Sequence, residues 1–136
     1  MSTPDIERLL ASVPTGLWIG GDERPGSSQF DVLDPSNDQV LISVANATAD
    51  DAIAALDAAC AVQAEWAATP ARERGEILRS VFETIIERAD DLAALMTLEM
   101  GKVFAESMGE VKYGAEFFRW FAEEAVRIGG RFTASP

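Results

Sequence analysis

A chain of 136 residues, 48% apolar and 25% charged, has the length and composition of one soluble globular domain. Its formal charge of −12 argues against nucleic acid or an anionic membrane surface as partner, since both would repel it. A single cysteine excludes an internal disulfide and suits a reducing compartment, and the absence of histidine removes imidazole acid–base catalysis and imidazole-bound metals from these residues.

Residues 1–12 read as a short helix or loose arm, with Ile6, Leu9 and Leu10 giving a weak apolar face and Pro14 closing it. Gly16–Gly21 is an apolar piece ending in paired glycines, a turn signal. Asp22–Ser28 is polar, and Pro25-Gly26 marks a second turn. Gln29–Leu33 alternates and stops at Asp34-Pro35, and Gln39–Val44 is rich in β-branched residues. Together these pieces predict a small antiparallel meander over residues 15–45.

From Thr48 the period becomes helical. Thr48 as N-cap with Asp51 three residues on is a carboxylate version of the capping box. The helix it starts runs to about Ala67, with Ile53, Leu56, Cys60 and Gln63 on one side. Thr69 as N-cap and Pro70 at the first helical position restart the chain. The second helix carries an amphipathic face of Ile77, Leu78, Val81, Phe82, Ile85 and Ile86. Asp90 and Asp91 suit the start of a third, which carries Leu92, Leu95, Met96 and Met100 and is broken by Gly101.

The longest helical pattern follows. Phe104, Met108, Val111, Ala115, Phe118, Ala122 and Ala125 are spaced by alternating fours and threes, which places them on one stripe. Phe117, Trp120 and Phe121 widen it beyond what a helix with one buried side needs, so this helix is expected to be packed on more than one face. Gly129-Gly130 ends it, and Arg131–Thr133 reads as the start of a strand.

No catalytic constellation emerges from the residues alone. Cys60 stands among Ala58, Ala59, Ala61 and Val62 with no base nearby in sequence, and is read as a small buried residue. The pairs Asp50-Asp51, Asp90-Asp91 and Glu123-Glu124 are adjacent, so their side chains do not face each other on a helix, and they are read as caps and solvated faces. Neither a dinucleotide fingerprint nor a Walker pattern is present. There is no basic leader followed by an apolar run, and no stretch of membrane-span length, so a cytoplasmic location is expected.

Leu98-Glu99-Met100-Gly101-Lys102, followed by Glu106, Gly109-Glu110 and Trp120–Ala125, resembles the N-terminal portion of an NAD(P)-dependent aldehyde dehydrogenase. Upstream, Trp18-Ile19-Gly20-Gly21 resembles the family's early strand, and Leu33-Asp34-Pro35 its x-N-P turn, with Asp in place of the commoner Asn. Trp66 to Arg79, with Pro70, Arg72, Arg74 and Leu78, resembles the family's Trp…Arg…Leu helix. Met96–Glu99 and Trp120–Glu124 are most similar to the succinate-semialdehyde branch.

The resemblance implies an α/β aldehyde dehydrogenase fold, of which this chain would be the N-terminal part. Residues 1–14 would form an arm and 15–130 the N-terminal part of the NAD(P)-binding domain, with the meander at 15–45 and helices at 48–130; residues 131–136 would begin an oligomerisation arm, truncated. The implied chemistry is attack of a cysteine thiolate on an aldehyde, hydride transfer to NAD+ or NADP+, and hydrolysis activated by a glutamate. The family's G-Q-x-C context, base glutamate and cofactor glycines lie outside this sequence, and Cys60 does not match the nucleophile, so no catalytic or cofactor-binding residue is assigned and the 136 residues alone are expected to be inactive. The matching positions for a structural Na+ or K+ are the Glu99 carboxylate and the Val32 carbonyl, oxygen ligands suited to a hard cation. Met108 and Lys112 match positions lining the substrate tunnel, and Lys112 would attract a carboxylate-bearing aldehyde. The intact enzyme would be a dimer or tetramer acting on a small aldehyde, with no nucleic-acid or membrane partner. The rival reading is a non-enzymatic acidic helical module that binds a protein through its apolar stripe.

Overall fold

The computed structural model describes residues 5–130. A short helix α1 (Ile6–Ala11) comes first, capped by the Asp5 side chain on the Arg8 N–H and docked through buried Leu9. Strands β1 (Leu17–Ile19) and β2 (Asp22–Arg24) form one antiparallel hairpin, and β3 (Ser28–Asp34) and β4 (Gln39–Asn46) a second. Four helices follow: α2 (Ala49–Ala68), α3 (Ala71–Glu87), α4 (Ala89–Met100) and α5 (Phe104–Glu124), the last running on into a 3-10 turn at Ala125–Arg127.

The expected meander is two separate hairpins. Ile19 pairs with Asp22, so Gly20 and Gly21 alone make the first turn, with φ of 67° and 92°. Two successive positive φ values are what a tight hairpin turn of the primed type needs. The polar piece after it therefore begins as strand β2. Pro25 then ends the ladder, because it has no N–H to donate. A bond from the Ala45 N–H to the Thr15 carbonyl, 2.8 Å, ties the second hairpin to the residues ahead of the first.

Thr48 accepts from the Asp51 N–H while the Asp51 carboxylate accepts from the Thr48 N–H, so the capping box is complete. Hydrogen bonds from Thr48, the backbone N–H first and the hydroxyl second, hold the Asp51 carboxyl below the ordinary 3.8. The restart at Thr69-Pro70 differs from expectation by one residue. Thr69 closes α2, its hydroxyl donating back to the Glu65 carbonyl, and Pro70 occupies the cap position of α3 with no side-chain bond. The corner is held instead by Arg74, whose guanidinium donates to the carbonyls of Ala67 and Thr69 at 3.1 and 2.8 Å.

The core lies where α4 and the first half of α5 meet. Ala89, Ala93 and Val111 are buried there, with Ile85, Leu92, Met96, Phe104 and Met108 packed around them. Along the expected stripe of α5, Val111 and Ala115 are buried, and Phe104, Met108, Ala122 and Ala125 are half-buried, but Phe118 is exposed. α3 lies against α5 and approaches it closely at Gly75: a Cβ there would stand 2.8 Å from the Ala122 carbonyl oxygen. That separation leaves room for hydrogen alone.

Two expectations about burial fail. α2 buries none of its residues; Leu56 is 63% exposed, and Ile53, Val62 and Trp66 are exposed with it. Cys60, read as buried, is exposed for the same reason: α2 touches β1 only lightly, and no other described element covers its apolar side. The second face of α5, with Tyr113, Phe117, Trp120 and Phe121, is also exposed among the described residues. The strand expected at Arg131–Thr133 lies outside those residues.

Candidate functional site

The distinctive segment Glu99–Lys102 joins α4 to α5. Gly101 takes the left-handed conformation, φ 68°, and its N–H donates to the Thr97 carbonyl at 2.9 Å, which ends α4. Lys102 turns back to pair with Glu110 on the second turn of α5, which binds the junction to the helix it precedes. α5 itself starts without a side-chain cap, so packing and this pair hold its first turn.

β3 packs against α4 at this junction. The Pro35 ring after β3 lies so close to Gly101 that a Cβ there would meet its Cγ at 3.0 Å. The turn is shaped by Asp34, whose carboxylate accepts from the Ser36 N–H at 2.8 Å and from the Asn37 side-chain amide at 3.2 Å. Hydrogen bonding from Ser36, its side chain first and its backbone second, holds the Asp34 carboxyl below the ordinary 3.8. Glu99 and Val32 thus sit on neighbouring elements, two residues before Gly101 and three before Pro35. Glu99 is exposed. Val32 pairs with Ile42 and Leu33 with Val40, so a bulge at Leu41 interrupts the ladder beside Val32. Among the described residues, no group of three or more Asp, Glu or Cys side chains is arranged to hold a metal ion.

Met108 and Lys112 come together, one turn apart on α5, on the wall of a hollow of about 320 Å³ completed by Ile86, Glu87, Ala89 and Asp90. Met108 is half-buried against the core, and Lys112 is exposed. Sequence reasoning missed Glu87 and Asp90, which face the same hollow from the α3–α4 corner. Two carboxylates beside one ammonium weaken its pull on an anion. It also missed Ser107, which is 0% exposed, with its hydroxyl 3.0 Å from that of Thr97 across the α4–α5 junction. No pattern of apolar spacing marks a buried serine. Cys60 lies on α2, outside the α4–α5 junction and the residues lining this hollow.

No helix among the described residues is long and apolar enough to cross a membrane. The profile of the aldehyde dehydrogenase family matches residues 22–136. The chain is 57% identical over 97 residues to a succinate-semialdehyde dehydrogenase of Paenarthrobacter nicotinovorans, covering 71% of this chain and 22% of the relative. It is 47% identical over 115 residues to the NADP(+) succinate-semialdehyde dehydrogenase of Escherichia coli (strain K12), covering 85% of this chain and 23% of the relative. It also superposes on the crystal structure of succinate-semialdehyde dehydrogenase from Burkholderia pseudomallei with a TM-score of 0.83 and 39% identity, over 88% of this chain and 25% of that one. The chain thus spans about a quarter of the length of the proteins it matches, and within that span both sequence and fold agree with them. It belongs to the aldehyde dehydrogenase family.

Proposed function

We propose that this chain is the leading segment of an enzyme that oxidises succinate semialdehyde to the acid with NAD+ or NADP+. The observation that carries the reading is the 57% identity over 97 residues to a succinate-semialdehyde dehydrogenase. The order of the Glu99–Lys102 junction, the Asp34-Pro35 turn packed on it and the long α5 supports it. In this reading residues 1–14 are an arm, 15–130 the first part of the nucleotide-binding domain and 131–136 the start of an oligomerisation arm. The intact enzyme is a cytoplasmic homo-oligomer.

Within the segment, Met108 and Lys112 face the substrate, Met108 as an apolar wall and Lys112 as a cation for the distal carboxylate. Glu99 and the Val32 carbonyl hold Na+ or K+. The carboxylate and the nearby carbonyls at the C-terminal end of α4 offer hard oxygen donors at the negative pole of a helix, which suits a monovalent cation. Cys60 takes no part in the chemistry, and the 136 residues alone do not turn over aldehyde.

The test is a chimera in which this segment replaces its counterpart in the Escherichia coli enzyme. NADP+ reduction with succinate semialdehyde is expected to survive the exchange, and a folded but inactive chimera overturns the reading. Lys112→Ala is expected to raise KM for succinate semialdehyde and leave that for an uncharged aldehyde; equal changes remove Lys112 from the site. Glu99→Gln is expected to erase any difference in melting temperature between potassium and choline salts.

A further inference from the structure

We propose that Ser107, acting through Thr97, is a positioning residue: their hydroxyl pair sets the register of α5 on α4 and so the placement of Met108 and Lys112, a role that rests on the reading of that face as substrate-facing. Ser107 is fully buried in the first turn of α5, and its partner stands in the last turn of α4. The residues buried nearby are apolar: Ala89, Ala93 and Val111. Helix formation does not require a serine there, since the cap position of α5 is Val103.

The apolar contacts of Phe104 and Met108 are non-directional and tolerate a small rotation of α5. The hydroxyl pair does not. Either oxygen can donate to the other in one register, and any slide or rotation that parts them leaves the fully buried Ser107 hydroxyl without its half-buried Thr97 partner. An alanine opposite a valine would fill nearly the same space without that penalty. What the pair adds is therefore a single preferred register. Met108 is the next residue, and Lys112 stands on the following turn, so both inherit it. The Lys102–Glu110 pair ties the junction to the second turn of α5 but is more exposed and adapts to small shifts.

Three variants of the chimera separate positioning from plain stability: Ser107→Ala, Thr97→Ser, and Thr97→Val with Ser107→Ala. Ser107→Ala is expected to raise KM for succinate semialdehyde on the order of tenfold with a smaller change in kcat, since small misplacements of a binding group are costly. Thr97→Ser, which keeps the hydroxyl, is expected to behave as the parent. The double variant is expected to recover melting temperature and keep the raised KM. Recovery of both, or an unchanged KM in Ser107→Ala, overturns the proposal. Hydrogen exchange of the Phe104–Lys112 peptide in the 136-residue chain is expected to quicken in Ser107→Ala and in the double variant but not in Thr97→Ser; equal exchange in all of them overturns it independently. If the chimera is inactive with the unsubstituted segment, the functional reading fails, and hydrogen exchange alone decides whether the pair sets the register.

Discussion

α2 carries a complete capping box and runs for twenty residues, yet none of them is buried; α4 has twelve residues and no side-chain cap, and buries Ala89, Ala93 and Ala94. Each helix forms for a different reason. α2 is rich in alanine and well started, so local propensity suffices to write it. α4 is short enough to be marginal by itself and is held by packing against α5. A helix that is easy to recognise in a sequence is therefore not the one around which the core is built.

The contrast breaks or holds on one substitution made twice. Ala93 is 0% exposed, and Ala93→Asp would bury a carboxylate with no partner, at a cost of about 3–5 kcal/mol. Ala59→Asp makes the same chemical change on exposed α2 and is expected to move stability by no more than about 0.5 kcal/mol. Thermal melts of both variants decide the matter; equal shifts would mean that α2 is packed after all.

Loss of the cap sharpens the contrast at a lower level. Thr48→Ala is expected to cost about 1 kcal/mol, read as lost helicity with little change in the core. The same cap has a pH signature. Asp51 is held below 3.8 in the folded chain, so its contribution is fully present above that value and fades as pH falls through the depressed one. Helix content is expected to fall more steeply below pH 3.8 in the parent than in Thr48→Ala. Parallel acid titrations would remove the cap from the account.

The smallest effect on stability is expected on the exposed face of α5. Trp120 is 64% exposed, with Tyr113, Phe117 and Phe121 beside it, a contiguous patch that favours association. The 136-residue chain is expected to bind hydrophobic dye and self-associate despite its charge of −12. Phe117→Ser with Trp120→Ser is expected to reduce both within about 0.5 kcal/mol of parental stability. A compact, dye-free monomer by sedimentation would favour the rival reading of a self-sufficient module.

Much of the fold was legible because its signals are local. The Gly20-Gly21 turn, the Thr48–Asp51 box, the stop at Gly101 and the stripe from Phe104 to Ala125 each follow from backbone geometry or side-chain period. What failed was decided by distant partners. Cys60 and Leu56 lie on a helix that reads as amphipathic, and only the absence of a covering element among the described residues leaves them in solvent. Strand β2 reads only as a polar piece because Asp22, Glu23 and Arg24 are all exposed, so no alternation marks it. Of the site, Met108 and Lys112 do share a wall. Glu87 and Asp90 opposite them come from another helix corner, and the Ser107–Thr97 pair joins residues ten apart across a bend.

The close approach at Gly75 has a genetic consequence. An added Cβ would strike the carbonyl oxygen of Ala122, a main-chain atom that every amino acid carries. No replacement at position 122 can therefore rescue a substituted position 75. A suppressor screen starting from Gly75→Ala should return no compensating change at Ala122, and its hits should fall on residues that let α3 stand farther from α5.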